Sequence, residues 1–312
     1  MTLAILCSGQ GPQNSRMFSL TGDAPEAAEL FGHAATLLGG RDPRDLVRTA
    51  PDEAIHADRP GQILCTLQAL AAAAALRGTF PPRLVIAGYS VGEVAAWGVA
   101  GAFTPADTLD LIARRAEAMD AASSPGEGML FVRGLPRATL QELCGRHDAA
   151  IAIVNPGDAF VVGGDGPQLK ALGKEAVSAA RTHVITLPVR VASHTPRLAA
   201  ASVAFREILR PLPVTLPGPG RVRLLSGIDG APVLAAEPGL DKLAAQISQT
   251  VRWSDCLQAC VEAGATAFLE LGPGAGLARM AAGAFPDVPA RSLDEFRTLA
   301  GARAWLARYA TA

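Results

Sequence analysis

Residues 83–100 carry the feature that most restricts how this chain can fold. The apolar run RLVIA (83–87) leads into Gly88-Tyr89-Ser90-Val91-Gly92, and GEVAAWGVAG then reads as the start of a helix. A strand, a glycine-flanked serine and a helix, in that order, describe a sharp turn that lifts a hydroxyl off the end of a strand. The flanking sequence agrees with such a turn. It predicts a strand at 3–7, a loop at 8–16, helices within about 25–49, a helix over 60–77, a strand at 83–87, and helices over 91–100 and 105–121. Short apolar strands that alternate with helices predict an α/β fold with a largely parallel sheet.

SSPGEG (123–128) breaks this alternation. The next segments read as strand (MLFVRG), helix (PRATLQELCGRH), strand (AAIAIVN), strand (AFVVGG), helix (PQLKALGKEAVSAA) and strand (THVITLPV). The order β-α-β-β-α-β over about 128–189 is the ferredoxin-like arrangement. The expected organisation is therefore a core formed by 1–125 and 195–312, with 126–194 as a small inserted subdomain. A helix over 195–210, a proline- and glycine-rich loop at 212–220, a strand and turn at 222–230, two further helices and a strand in TAFLELGPG complete the prediction. The sequence shows no solenoid repeat and no low-complexity tail.

Composition narrows the function classes. The chain has 312 residues, enough for one large domain or two smaller ones. A net charge of −1 gives no bulk attraction to nucleic acid or an anionic membrane, and 5% aromatics leaves little for base stacking. The longest apolar stretch, 63–76, is too short to cross a bilayer and reads as a buried helix. The N-terminal MTLAILCSGQG lacks a basic leader region and reads as a first strand, not a signal peptide. Cys7, Cys65, Cys144, Cys256 and Cys260 are scattered and never spaced C-x-x-C. They are expected to be reduced thiols of a cytoplasmic protein, with no metal site.

The residues alone leave three uses for Ser90: hydrolysing an ester, passing an acyl group to another thiol, or filling a turn. A serine hydroxyl needs a base to become a nucleophile. Among His33, His56, His147, His183 and His194, only His194, in VASHTP, returns from the insert toward the main sheet. It is the best-placed base, with a structural histidine as the alternative. An ordinary histidine titrates near 6.5, so acylation by such a base is expected to fall as pH drops through 6–7. An α/β-hydrolase usually orders its triad serine, acid, histidine, and no histidine follows His194, which weakens that assignment. SGQGPQ (8–13) has glycines that allow close backbone approach to a ligand, or form a plain turn. LGPGAG (271–276) has no clear βαβ unit after it and reads as a tight turn, not a dinucleotide fingerprint. Arg115 shares an apolar helix face with Leu111 and Met119, so it needs an anionic partner from the protein or a substrate. Arg114 lies beside Asp110 and Glu117 and reads as solvated.

Taken in order, SGQGPQ, GYSVGE, ARRAEAM, VASH, TVRW and ELGPG resemble the malonyl-CoA:acyl carrier protein transacylases over nearly the whole chain. The resemblance implies an α/β-hydrolase-like core that carries a ferredoxin-like subdomain. It implies Ser90 as the acylated nucleophile, His194 as the base, and the N–H groups of Gln10 and Val91 as the oxyanion hole. Arg115 would hold the malonyl carboxylate, Gln62 would lie near the pocket, and the main-chain carbonyl of Arg252 would orient the histidine, so no acidic triad member is needed. Malonyl-CoA and an acyl carrier protein would be the partners, with no cofactor and no metal. One position departs from the family, whose usual G-H-S-x-G-E has Tyr89 in place of its histidine here. With AAWGVAG, Tyr89 resembles the epsilon subunit of malonate decarboxylase, which implies loading of that enzyme's carrier protein. The alternatives are the transacylase of fatty-acid or polyketide synthesis, or a serine thioesterase. VASH is similar to polyketide acyltransferases that prefer methylmalonyl units, so it leaves the acyl size open.

Overall fold

The structure, a computed structural model, describes residues 1–179, 182–218 and 220–308. Strand β1 (Thr2–Cys7) is buried at every residue, as a central strand covered on both faces must be. Helices α1 (Ala28–Leu37), α2 (Pro43–Thr49) and α3 (Asp52–His56) lead to α4 (Asp58–Leu76). The alanine-rich α4 is buried along nearly its whole length, and Gln68 within it accepts from Thr21 Oγ1 at 2.7 Å. Strand β2 (Arg83–Gly88) turns sharply into α5 (Gly92–Val99), and α6 (Pro105–Ala122) follows. Thr104 caps α6 by accepting the Asp107 N–H, and Pro105 takes the first turn, where no intrahelical donor is needed.

The insert follows its sequence pattern. It contains β3 (Glu127–Arg133), α7 (Arg137–Arg146), β4 (Ala150–Asn155), β5 (Ala159–Asp165), α8 (Gly166–Ala179) and β6 (His183–Thr186). The strands pair antiparallel in the order β4-β5-β3-β6, which is the ferredoxin-like topology. The last strand ends at Thr186, short of the predicted 189. Pro188 lacks the N–H that would continue the ladder.

The remaining elements are α9 (Ala199–Leu209), β7 (Val222–Leu224), α10 (Ala236–Ala245), α11 (Trp253–Glu262), β8 (Ala265–Glu270), α12 (Gly276–Ala284), β9 (Ala290–Ser292) and α13 (Leu299–Ala307). Among the described residues the main sheet has five strands in the order β7-β2-β1-β8-β9, all parallel. LGPGAG joins β8 to α12 inside a βαβ unit, β8–α12–β9, contrary to expectation. Its second strand has three residues, ARS, too few to show a periodic pattern.

The two sheets share a core. Ala4, Leu6 and Val85 of the main sheet cluster with Met129, Ile153 and Val161 of the small one. A backbone seam joins them as well: Val154 N–H donates to Val251 O and Val251 N–H to Ala152 O, each at 2.9 Å. Because β1, β2 and β8 run parallel, the loops after them, SGQG, GYSVG and ELGPG, emerge at one end of the sheet. Among the described residues no helix is long and apolar enough to cross a membrane.

Candidate active site

Ser90 stands in a left-handed backbone conformation, φ 56°, at the turn between β2 and α5. The glycines around it are steric requirements. A Cβ at Gly88 would lie 2.1 Å from the Gly92 carbonyl oxygen, and one at Gly92 would lie 2.1 Å from that of Cys7. Bare backbone therefore lets α5 begin directly against β1 and β2. Val91 has helical backbone angles at the N-cap of α5. It lies where N–H groups have no intrahelical acceptor and carry the positive end of the helix dipole.

The loop after β1 lies across this turn. A Cβ at Gly9 would sit 3.7 Å from Ser90 Cβ and 3.0 Å from Tyr89 Cδ1, so the close approach the glycine permits is to the serine turn itself. That puts Gln10, the next residue, beside Ser90. The loop is fastened from two sides. Ser8 Oγ donates to Glu270 Oε1 at 2.6 Å, and Glu270 Oε2 accepts the Ala278 N–H in α12 at 2.8 Å. Gln10 Nε2 donates to Asp58 O at 3.2 Å, and Gln13 Nε2 to Ile55 O at 3.3 Å. Burial pushes the Glu270 carboxyl up to about 7. Glu270 and Gly272 thus hold the Gln10 loop, a role ELGPG did not reveal as a sequence. A Cβ at Gly272 would lie 2.2 Å from Ser8 Cβ.

Of the five histidines, His194 is the one that reaches Ser90. Its Nε2 lies 2.7 Å from Ser90 Oγ, and its Nδ1 lies 2.5 Å from the carbonyl oxygen of Gln246. A carbonyl only accepts, so Nδ1 carries the proton and Nε2 is free to take the one on Ser90. The orienting carbonyl is that of Gln246, not Arg252 as the resemblance implied. Gln246 follows the end of α10, where the last carbonyls lack intrahelical partners. The Arg252 carbonyl begins α11 and accepts the Asp255 and Cys256 N–H groups at 3.1 Å, while its side chain pairs with Asp255 at 2.5 Å. Burial, helped by the charge of Arg115, pushes the His194 imidazole down to about 3, well below the 6–7 expected of an exposed ring. His33 pairs with Asp110 and His147 with Glu175 near the surface, and His183 starts β6 at the edge of the small sheet. His56 reaches the Gly11 carbonyl at 3.2 Å.

Arg115 is 1% exposed, whereas Arg114 faces solvent, as their positions on α6 predict. Its Nη1 donates to Gln62 Oε1 at 2.6 Å and its Nη2 to Gln246 Oε1 at 3.4 Å. Both partners are neutral amides, and among the described residues no carboxylate forms an ion pair with it. Burial pushes the guanidinium down to about 10, which leaves it charged at neutral pH. Gln246 was invisible as a site residue in the sequence, yet it touches Arg115, Ser90 and His194. Tyr89 lies edge-on to Trp253 with ring centroids 5.3 Å apart. Desolvation pushes its phenol up to about 12, so it does not titrate near neutrality. A cleft of about 1000 Å³ opens beside Gln10, between the helix ends around Asp58 and Asp120 on one side and the small sheet with α8 on the other, bounded by Met129, Lys170 and Arg190 among others. Among the described residues no group of three or more His, Cys, Asp or Glu side chains is arranged to hold a metal ion.

This is a serine with its base in hydrogen-bond contact, N–H groups of a helix start and a glycine loop beside it, and an unpaired buried cation nearby. Such a set is suited to acyl transfer through a covalent serine ester. The acyl transferase domain family matches residues 5–293. The malonyl CoA-acyl carrier protein transacylase of Mycobacterium bovis is 31% identical over 310 residues, covering 95% of this chain and 100% of that protein. The acyl-carrier-protein S-malonyltransferase of Burkholderia pseudomallei has a similar structure, with TM-score 0.88 and 26% identity over 97% of this chain and 100% of that one. For the malonyl-CoA:acyl carrier protein transacylase of Xanthomonas oryzae pv. oryzae the TM-score is 0.90 and the identity 25%, over 99% and 100% of the two chains. With a match that spans both sheets and the loops that meet at Ser90, this chain belongs to the acyl transferase domain family.

Proposed function

We propose that the chain transfers a malonyl group from malonyl-CoA to the phosphopantetheine thiol of an acyl carrier protein, through a malonyl ester of Ser90. The observation that carries this is the Ser90–His194–Gln246 hydrogen-bond relay beside a buried arginine that, among the described residues, has no ion-pair partner. His194 Nε2 takes the hydroxyl proton as Ser90 Oγ attacks the thioester carbonyl. The N–H groups of Gln10 and Val91 stabilise the oxyanion. The C–S bond then breaks, and the departing CoA thiolate receives the proton from His194. The carrier thiol repeats the sequence in reverse, gives its proton to His194, and leaves with the malonyl group. Arg115 holds the free carboxylate through its planar fork, which a lysine does not reproduce, with Gln62 beside it. Tyr89 shapes the pocket wall.

The names of the relatives support this broader form, which includes carriers of fatty-acid or polyketide synthesis. A narrower form, loading of the malonate decarboxylase carrier, rests on Tyr89 and AAWGVAG. The same proposal takes 1–125 with 195–312 as the catalytic core, 126–194 as the subdomain that walls the cleft, and the cytoplasm as the place of action. Intact-mass spectrometry after mixing with malonyl-CoA tests the proposal. The wild type should gain one malonyl group, Ser90→Ala none, and His194→Ala should acylate about 10²–10⁴ times more slowly. Adding holo carrier protein should clear the adduct and label the carrier. Steady release of malonate, with no transfer to any carrier, would identify a hydrolase instead. Comparing the decarboxylase carrier with a fatty-acid carrier separates the two forms.

A further inference from the structure

Arg115 sits at the middle of a nearly symmetric chain of side chains. Asp58 Oδ2 accepts from Gln62 Nε2 at 2.8 Å, and Gln62 Oε1 accepts from Arg115 Nη1 at 2.6 Å. On the other side Arg115 Nη2 reaches Gln246 Oε1 at 3.4 Å, and Gln246 Nε2 donates to Glu93 Oε2 at 2.5 Å. A carboxylate stands at each end, a primary amide between each carboxylate and the guanidinium. A primary amide can turn either its oxygen or its NH2 toward a neighbour, and toward an arginine only the oxygen is compatible. A carboxylate accepts and does not donate, so each one fixes its glutamine with the oxygen facing Arg115. Direct contact would have been different. A carboxylate on the guanidinium would fill the bidentate fork. One amide of separation keeps the counter-charge close and the fork open. Asp58 also borders the cleft, while Glu93 is buried beneath Ser90.

We propose that Asp58 and Glu93 are positioning residues that act through Gln62 and Gln246 to hold Arg115 fixed and unpaired, and that Asp58 thereby sets the preference for acyl groups with a free carboxylate. This rests on the role of Arg115 proposed above. The bond from each glutamine favours the ionised, accept-only form of its carboxyl, and burial works against that form. Burial pushes Asp58 up to about 6 and Glu93 up to about 7, with the hydrogen bond from each glutamine opposing the rise. The test uses single-turnover acylation of Ser90 in the whole chain, with malonyl-CoA and acetyl-CoA, read by intact mass. Asp58→Leu removes the acceptor and frees the Gln62 amide to turn. It should slow malonyl acylation about ten- to a hundredfold, the scale of one hydrogen bond to a charged group, and slow acetyl acylation by a clearly smaller factor, because Asp58 also holds Gln10. Asp58→Asn keeps an accepting oxygen and should restore the malonyl preference, as should Glu93→Gln on the other arm. Equal losses for both thioesters in Asp58→Leu, or an Asp58→Asn as impaired as Asp58→Leu, would overturn the proposal. If circular dichroism shows Asp58→Leu unfolded, Asp58→Ala is read by the same outcomes. A wild type that takes up neither acyl group sinks the functional proposal instead. Thermal stabilisation by free malonate, lost in Asp58→Leu and kept in Asp58→Asn, then still reports on Arg115, and equal stabilisation in both variants counts against the network.

Discussion

His194 has a left-handed backbone, φ 60°, and a ring held at both nitrogens. Burial and the nearby Arg115 charge both disfavour the imidazolium, so the ring stays neutral until the pH approaches about 3. A base in its neutral form is ready to work, so acylation should not lose rate through the usual histidine range. With acetyl-CoA, whose acyl group carries no charge, the single-turnover rate is expected to stay flat from pH 8 to about 5. A tenfold fall per pH unit below about 6.5 would show that the ring titrates like an exposed one. Arg115→Ala removes one of the two depressing causes and should move any acid limb upward in pH.

The strand–turn–helix at Ser90 is specified by crowding between close neighbours in sequence, and for that reason it could be read from GYSVG alone. Gly92→Ala would push a Cβ against the Cys7 carbonyl, 2.1 Å away, and should cost about 1–3 kcal/mol or more. Gly283, inside α12, has nothing within 4 Å of its Cβ position, so Gly283→Ala should be neutral or stabilising by about 0.5–1 kcal/mol. Urea midpoints of the two variants check the contrast, and similar values for both would refute the steric account. The same distinction explains what the sequence concealed. The insert was legible because its strands and helices alternate locally, and Arg115 because its helix face is apolar. Gly272 against Ser8 is a contact between distant loops, and neither glycine spacing nor composition encodes it. Gln246 works partly through a backbone carbonyl, which every residue type possesses, so its side chain gave no sign. Arg252 was misassigned for the same reason: carbonyl availability depends on where a helix stops.

At the scale of the whole molecule, buried acids set how stability depends on pH. Asp58, Glu93 and Glu270 are pushed up to about 6, 7 and 7 by burial. A raised carboxyl binds its proton more tightly folded than unfolded. Its stabilising contribution is present at low pH and is lost as pH rises through the folded value. His194 works the other way: its contribution is present above about 6.5 and fades as pH falls toward 3. Three acids outweigh one histidine between pH 8 and about 5.5, so the melting temperature is expected to rise by a few degrees over that interval. Glu270→Gln should flatten the rise, and a melting temperature that falls steadily from pH 8 would contradict it. The seam between the sheets has a different consequence. Residues 152–154 of the insert exchange backbone hydrogen bonds with Val251, five residues beyond the Gln246 that steadies His194. The insert is continuous in sequence but not self-contained as a part. A chimera that exchanged only 126–194 with a relative would put a foreign strand edge against the native 250–251 backbone, and the mismatch would be felt at the base. A graft boundary that carries 246–251 along with the insert is the one that would travel intact.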